Sequence, residues 1–225
     1  MQLISGARFG PFCAVLMLSV PLLAGESGLP DYGAAAGSCP AAAKTCLGIH
    51  LYVAVKDGVP VVESDWIASQ VSNANRLFAP LEVAFEVVAA EVLPTDCLRV
   101  ADRAARDGLG RTRWSKNAIH VFVTGRLDNV DEPGEIYGVH WRDRQQTSHR
   151  WIILSAIAWP HTLVHELGHY FGLPHSEDAV SIMTKGAPVP VPARERIFTE
   201  AQQRKMRRRL KRLLDSRMLR PLPRP

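Results

Sequence analysis

Apolar residues along this chain fall into short dense runs, and the spacing within each run separates strands from helices. The run 49–55 (Ile49-His50-Leu51-Tyr52-Val53-Ala54-Val55) closes on Lys56-Asp57-Gly58 and reads as a strand followed by a turn. Ser64 or Asp65 then caps a helix through about Phe78, in which Ile67, Val71, Ala74 and Phe78 recur at helical spacing. A second strand is predicted over 83–88, a short helix over 99–107 ending before Gly108, and a third strand over 119–124. The third strand is apolar enough to lie centrally in a sheet. Turn chemistry fills 128–134, and strands at 136–141 and 151–154 flank a loop of Arg, Gln and Ser. A last helix opens on the capping-box pattern Thr199-Glu200-Ala201-Gln202 and carries Met206, Leu210 and Leu213. Strands alternating with helices predict an α/β layer architecture with a largely parallel sheet.

Composition narrows this to one domain with tails. The chain has 225 residues, 47% of them hydrophobic and 22% charged, which argues against wholesale disorder. Arg8 precedes an apolar run at 12–24 that is too short and too Pro-interrupted for a comfortable membrane span. Residues 1–24 therefore read as a secretory signal, and the mature protein as secreted or periplasmic. Positions 25–45, rich in Gly, Ala and Pro, read as a linker or short pro-segment before a domain spanning 46–225.

The formal charge of +5 is concentrated in the basic helix expected at 199–218. Its apolar positions are expected to pack on the domain with the basic face in solvent. An anionic surface is then a candidate partner, with no specific nucleic acid implied and a monomer expected. Cys13 leaves with the signal, so Cys39, Cys46 and Cys97 remain, and both Cys39–Cys46 and Cys46–Cys97 are open as pairings.

The chemistry concentrates in His165-Glu166-Leu167-Gly168-His169-Tyr170-Phe171-Gly172-Leu173-Pro174-His175. With Pro160 in the first turn of a helix, His165 and His169 stand one turn apart on one face and reach one ion. Val164, Leu167 and Phe171 form an apolar stripe for the sheet. Glu166 points beside the ion, where it can accept a proton from activated water. Gly172 ends the helix in a left-handed turn that swings His175 back as a third nitrogen ligand. Three histidines leave a tetrahedral position open, the arrangement of a catalytic Zn2+ site.

Other candidates read more plainly. His161 lies about one helical pitch from His165 along the axis and is not expected as a ligand. His50, His120, His140 and His149 read as strand or loop residues, with His140 also a candidate to line the cleft. Tyr170 is expected to pack, and Glu177 and Asp178 to be solvated. Cys39 as a metal-binding latency thiolate lacks any flanking consensus.

The segment resembles the metzincin zinc-binding consensus, with Met183 of Ser181-Ile182-Met183-Thr184 where a methionine turn is expected. Ser176 and the Met183 spacing are similar to the matrixin branch. The resemblance implies a metzincin-like zincin fold: a mixed, mostly parallel five-stranded sheet, an active-site helix below it, and 136–140 as the edge that pairs with substrate. It also implies a secreted zinc-dependent endopeptidase acting on polypeptides. The chain departs from matrixins in lacking the Pro-Arg-Cys-Gly latency motif and a His/Asp-rich accessory metal loop. The alternative from another class is a secreted binding protein with a relic zinc site and a polyanion-binding tail.

Overall fold

Asp31 accepts from the Ala34 amide at 2.9 Å and so caps a short helix, α1 (Tyr32–Ala36), within a stretch whose composition suggested a linker. Tyr32 is fully buried, and its hydroxyl donates to the Val62 carbonyl at 2.9 Å. One aromatic anchor thus docks a segment that lacks any apolar period. The computed structural model describes residues 28–184 and 191–223, so the signal expected at 1–24 and Cys13 lie outside the described residues.

The chain continues through β1 (Thr45–Lys56), β2 (Val59–Pro60), α2 (Ser64–Phe78) and β3 (Val83–Leu93). Then come β4 (Arg99–Val100), α3 (Arg103–Arg111), β5 (Ile119–Thr124) and β6 (Arg126–Leu127). β7 (Gly138–Arg142), β8 (Arg150–Ser155), α4 (Thr162–Tyr170) and α5 (Glu200–Asp215) complete it. The principal sheet runs β3-β1-β5-β8-β7, with β3, β1, β5 and β8 parallel and β7 antiparallel to β8. This is the mixed, mostly parallel arrangement expected. The two-residue β2 adds an antiparallel hairpin to β1 across Asp57 and Gly58, both at positive φ. β4 and β6 pair separately.

Every residue of β5 and β8 is buried, and successive side chains feed opposite cores. Leu51, Val53, Val121, Val123, Ile152 and Leu154 face α2 and α4. Tyr52, Phe122, Trp151 and Ile153 face the α3 side. The sheet is therefore the middle layer of three.

Several boundaries differ from expectation. The helix read at 99–107 is instead a short strand at Arg99–Val100 and then α3, capped by Asp102 and running past Gly108. Glycine inside that helix has a packing reason: a Cβ on Gly110 would lie 2.3 Å from the Trp151 ring. Glu63, not Ser64 or Asp65, is the N-cap of α2, without a side-chain capping bond. α5 begins after Thr199 with both capping-box bonds present, and it ends at Asp215 rather than 218. Cys39 pairs with Cys46, leaving Cys97 as the free thiol among the described residues. A disulfide-bonded Cys39 has no thiolate to offer a metal.

His120, 1% exposed on β5, lies 3.2 Å from the Tyr52 hydroxyl and accepts the Ser115 amide at 3.0 Å. Burial pushes its pKa down from 6.5 to about 4. Its neutral form thus contributes stability above the unfolded value near 6.5, and this is lost as pH falls through about 4. Urea denaturation of wild type and His120→Gln between pH 7 and 4 should show their free-energy gap shrinking by about 2–3 kcal/mol. A gap independent of pH would show that His120 does not titrate this way.

Candidate metal centre

α4 needs anchoring at its start because His161, its N-cap, makes no side-chain capping bond. The anchor comes from another helix. Gln70, 1% exposed within the apolar face of α2, accepts the Leu163 amide at 2.9 Å and donates to the Trp159 carbonyl at 2.8 Å. Pro160, expected in the first turn, lies just outside it.

The other end of α4 closes as a Schellman turn. Phe171 leaves helical geometry, Gly172 takes φ of 90°, and the Gly172 and Leu173 amides donate to the His169 and Gly168 carbonyls, each at 2.9 Å. This reversal brings the Leu173 carbonyl back over the helix, where it accepts from His169 Nδ1 at 2.7 Å. His165 Nδ1 donates likewise to the Ile182 carbonyl at 2.8 Å. A carbonyl oxygen only accepts, so both Nδ1 atoms carry the proton and both Nε2 atoms present lone pairs.

Those lone pairs converge. His169 Nε2 is 3.1 Å from His165 Nε2 and 3.2 Å from His175 Nε2, and donor atoms of all three rings lie within 4.8 Å of one another. A tetrahedral ion with nitrogens at 2.0–2.1 Å needs them about 3.3 Å apart, so the cradle fits one zinc-sized cation. Burial pushes the His165 pKa down to about 4 and lowers that of His169, keeping both rings neutral at pH 7. His175 is exposed, so the cradle opens to solvent on its side.

Glu166 sits beside this cradle, 6% exposed, with Oε2 accepting the His140 amide at 2.6 Å. Desolvation pushes its pKa up to about 8, against the opposing pull of that amide and of Arg106. Gly138 on β7 permits the approach, since a Cβ there would lie 2.7 Å from Thr162 Cγ2 and 3.2 Å from Glu166 Cγ.

Met183 forms the floor. It is fully buried, and its Sδ would lie 2.3 Å from a Cβ on Gly168, between the two helical histidines. Ser181 Oγ accepts the Met183 amide at 3.0 Å and the Gln202 side-chain amide at 2.8 Å, while Gln202 Oε1 accepts the Thr199 amide at 2.9 Å. The capping box of α5 therefore also fixes the methionine turn. Gln70, Gly138 and Ser181 went unread in the sequence. Gln70 alone left a trace, as a polar residue in an apolar stripe.

The remaining histidines stand apart from the cradle. His140 contributes its backbone amide, and its ring packs edge-on against Tyr170 at 5.6 Å. His149 stacks on Trp114, His120 is buried in β5, and His161 precedes α4. Tyr170 is buried as expected, and Glu177 and Asp178 are exposed.

Gly168→Ala should push Met183 off its seat and weaken Zn2+ binding about 10–100-fold, measured by competition with a chromophoric chelator. Adding Met183→Ala vacates the space and should recover part of the loss. Unaltered affinity in the single variant would separate the methionine floor from ligand placement.

The family profile described as Matrixin matches residues 114–196, which include the whole histidine segment. No curated protein matches the sequence. In structure the chain is similar to archaemetzincin from Methanopyrus kandleri, with TM-score 0.52 and 18% identity over 75% of this chain and 97% of that one. It is also similar to metalloproteinase-II from Bacteroides fragilis, with TM-score 0.53 and 14% identity over 80% of this chain and 60% of that one. By its sheet order, its histidine-bearing helix and these likenesses, the chain has a metzincin-like zincin fold, with its matrixin match lying over the segment that carries the histidines.

Proposed function

We propose that this protein is an exported zinc-dependent endopeptidase in which His165, His169 and His175 hold the ion and Glu166 is the general base. The reading is carried by one observation: three Nε2 atoms converge while the opposite nitrogens of His165 and His169 are held by carbonyls. Bound there, zinc supplies Lewis acidity towards an oxygen of water or of a peptide carbonyl. The chain's own residues do the rest. Glu166 accepts a proton at the carboxylate oxygen left free by the His140 amide and later returns it to the leaving amine. β7 pairs with β8 on one side, and its other edge receives an extended polypeptide. Tyr137 and Trp159, exposed and packed edge-on at 6.2 Å, offer apolar surface beside Gly138 where that edge begins.

Export rests on the N-terminal run at 1–24 and agrees with the Cys39–Cys46 bridge, since disulfides persist in oxidising compartments. The exposed Lys205, Arg208 and Arg212 of α5 support an accessory contact with an anionic surface, by a protein that acts as a monomer.

Glu166→Gln should keep stoichiometric zinc and lose activity on an unstructured protein by about 10²–10⁴-fold, while chelation abolishes wild-type cleavage and zinc restores it. A zinc-replete Glu166→Gln that cleaves as fast as the parent would remove Glu166 from the chemistry.

A further inference from the structure

Most carboxylates near the sheet edge are committed to arginines. Asp107 takes Arg111 and Arg144, Asp143 takes Arg111, and Asp128 takes Arg99 and Arg126. Three arginines at the far end of β7 are treated differently. Arg142 on β7 and Arg150 on β8 are direct cross-strand partners, so two like charges face each other where an antiparallel pair disfavours them. By the two-residue period Arg142 shares a face with His140. Arg209 of α5 reaches the same place, its Cγ 3.6 Å from where a Cβ on Gly172 would lie.

No ion pair among the described residues includes Arg142, Arg150 or Arg209. Arg150 is 6% exposed, and its Nε and Nη1 are buried without a hydrogen-bond partner, as is Nε of Arg209. The Tyr170 ring lies 5.7 Å from the Arg150 guanidinium carbon, an attractive contact. Burial, then the charges of Arg209 and Arg142, push the Arg150 pKa down to about 10. A buried guanidinium with its hydrogens unused and cations for neighbours is unfavourable by itself. It becomes favourable when an anion accepts from the fork, because planar N–H pairs match the oxygens of a carboxylate or a tetrahedral oxyanion.

We propose that Arg142, Arg150 and Arg209 form an oxyanion-binding site at the end of the β7 edge, closed at the back by Tyr170. The site adjoins the metal cradle without sharing a ligand: Tyr170 follows His169, and its ring packs on His140, whose amide holds Glu166. Arg142 is exposed and Arg209 half-buried, so the mouth is open while Arg150 forms the floor. The oxyanion arrives either as a free ion or as an acidic side chain of a polypeptide lying along β7. The second source rests on the peptidase reading; the first does not.

Two measurements on the full-length purified protein distinguish them. In the first, thermal stability is followed as sulfate replaces chloride at constant ionic strength, for wild type, Arg209→Gln and Arg150→Met. Wild type should gain a few degrees with saturation, and both variants should lose that response. Arg150→Met should also be at least as stable as wild type without sulfate, because it removes an uncompensated buried charge. In the second, peptides differing only by Asp or Asn at successive positions around the cleaved bond are compared by kcat/KM.

A saturable sulfate response lost in both variants, with no Asp preference, identifies a free resident anion. A preference for Asp of about tenfold at one position, falling towards unity in Arg209→Gln, identifies a substrate carboxylate. Absence of both effects overturns the site. Should Arg150→Met fail to fold, Arg209→Gln decides the outcome alone. Because the sulfate arm needs no cleavage, a failed peptidase reading shows separately, in Glu166→Gln and the chelator experiment.

Discussion

His169 Nδ1 donates to the Leu173 carbonyl because the chain reverses at Gly172, and the geometry of the cradle follows from that reversal. A helix continued by one more turn would carry residues 172–175 up the axis and away from His165. The left-handed glycine stops it, returns Leu173 to orient one ring and returns His175 to stand opposite both others. One backbone conformation thus supplies a nitrogen donor and an orienting acceptor together. That coupling explains why the segment is so compact in sequence.

The rest of the fold holds α4 still at close quarters. Its ends and faces are fixed by groups from several neighbouring segments: Gln70 of α2 at the start, Gly138 of β7 above, and Met183 beneath Gly168. Glycines at the two contact points let the helix meet the strand and the floor without side chains between. Ser181 and Gln202 then tie the floor to α5, so the basic helix has a structural role independent of its charge.

Charge is distributed unevenly around this frame. On the α3 side Asp107 is fully buried and accepts from Trp141, Arg111 and Arg144, so that Arg111 and Arg144 each have an acid. Across the sheet Arg150 is as deeply placed and meets cations and one phenol ring. The contrast lies within one pair of strands, β7 and β8, with the Asp107 ion pairs on one face and the Arg142, Arg150 and Arg209 cluster on the other.

The periodicity of the chain was sufficient for the strands and α2, because period-two and period-3.6 burial is imposed by a single face and needs no knowledge of the partner. The convergence of His165, His169 and His175 was equally legible, since helix pitch and one glycine turn are local matters. By itself, then, the sequence determined the main strands, α2, α5, the α/β layering and the grouping of the three histidines. It ended α3 too early because Gly108 looks like a helix breaker, whereas the helix runs on through Gly110, where Trp151 requires a bare surface. It took Tyr32 for part of a linker, since one buried aromatic leaves no periodic trace. Only the tertiary structure decided the Cys39–Cys46 pairing, the bond from Gln70 to α4, the hold of His140 on Glu166, and the meeting of Arg142, Arg150 and Arg209. These depend on contacts between segments far apart in the chain, and no local spacing encodes which distant backbone or charge a side chain will meet.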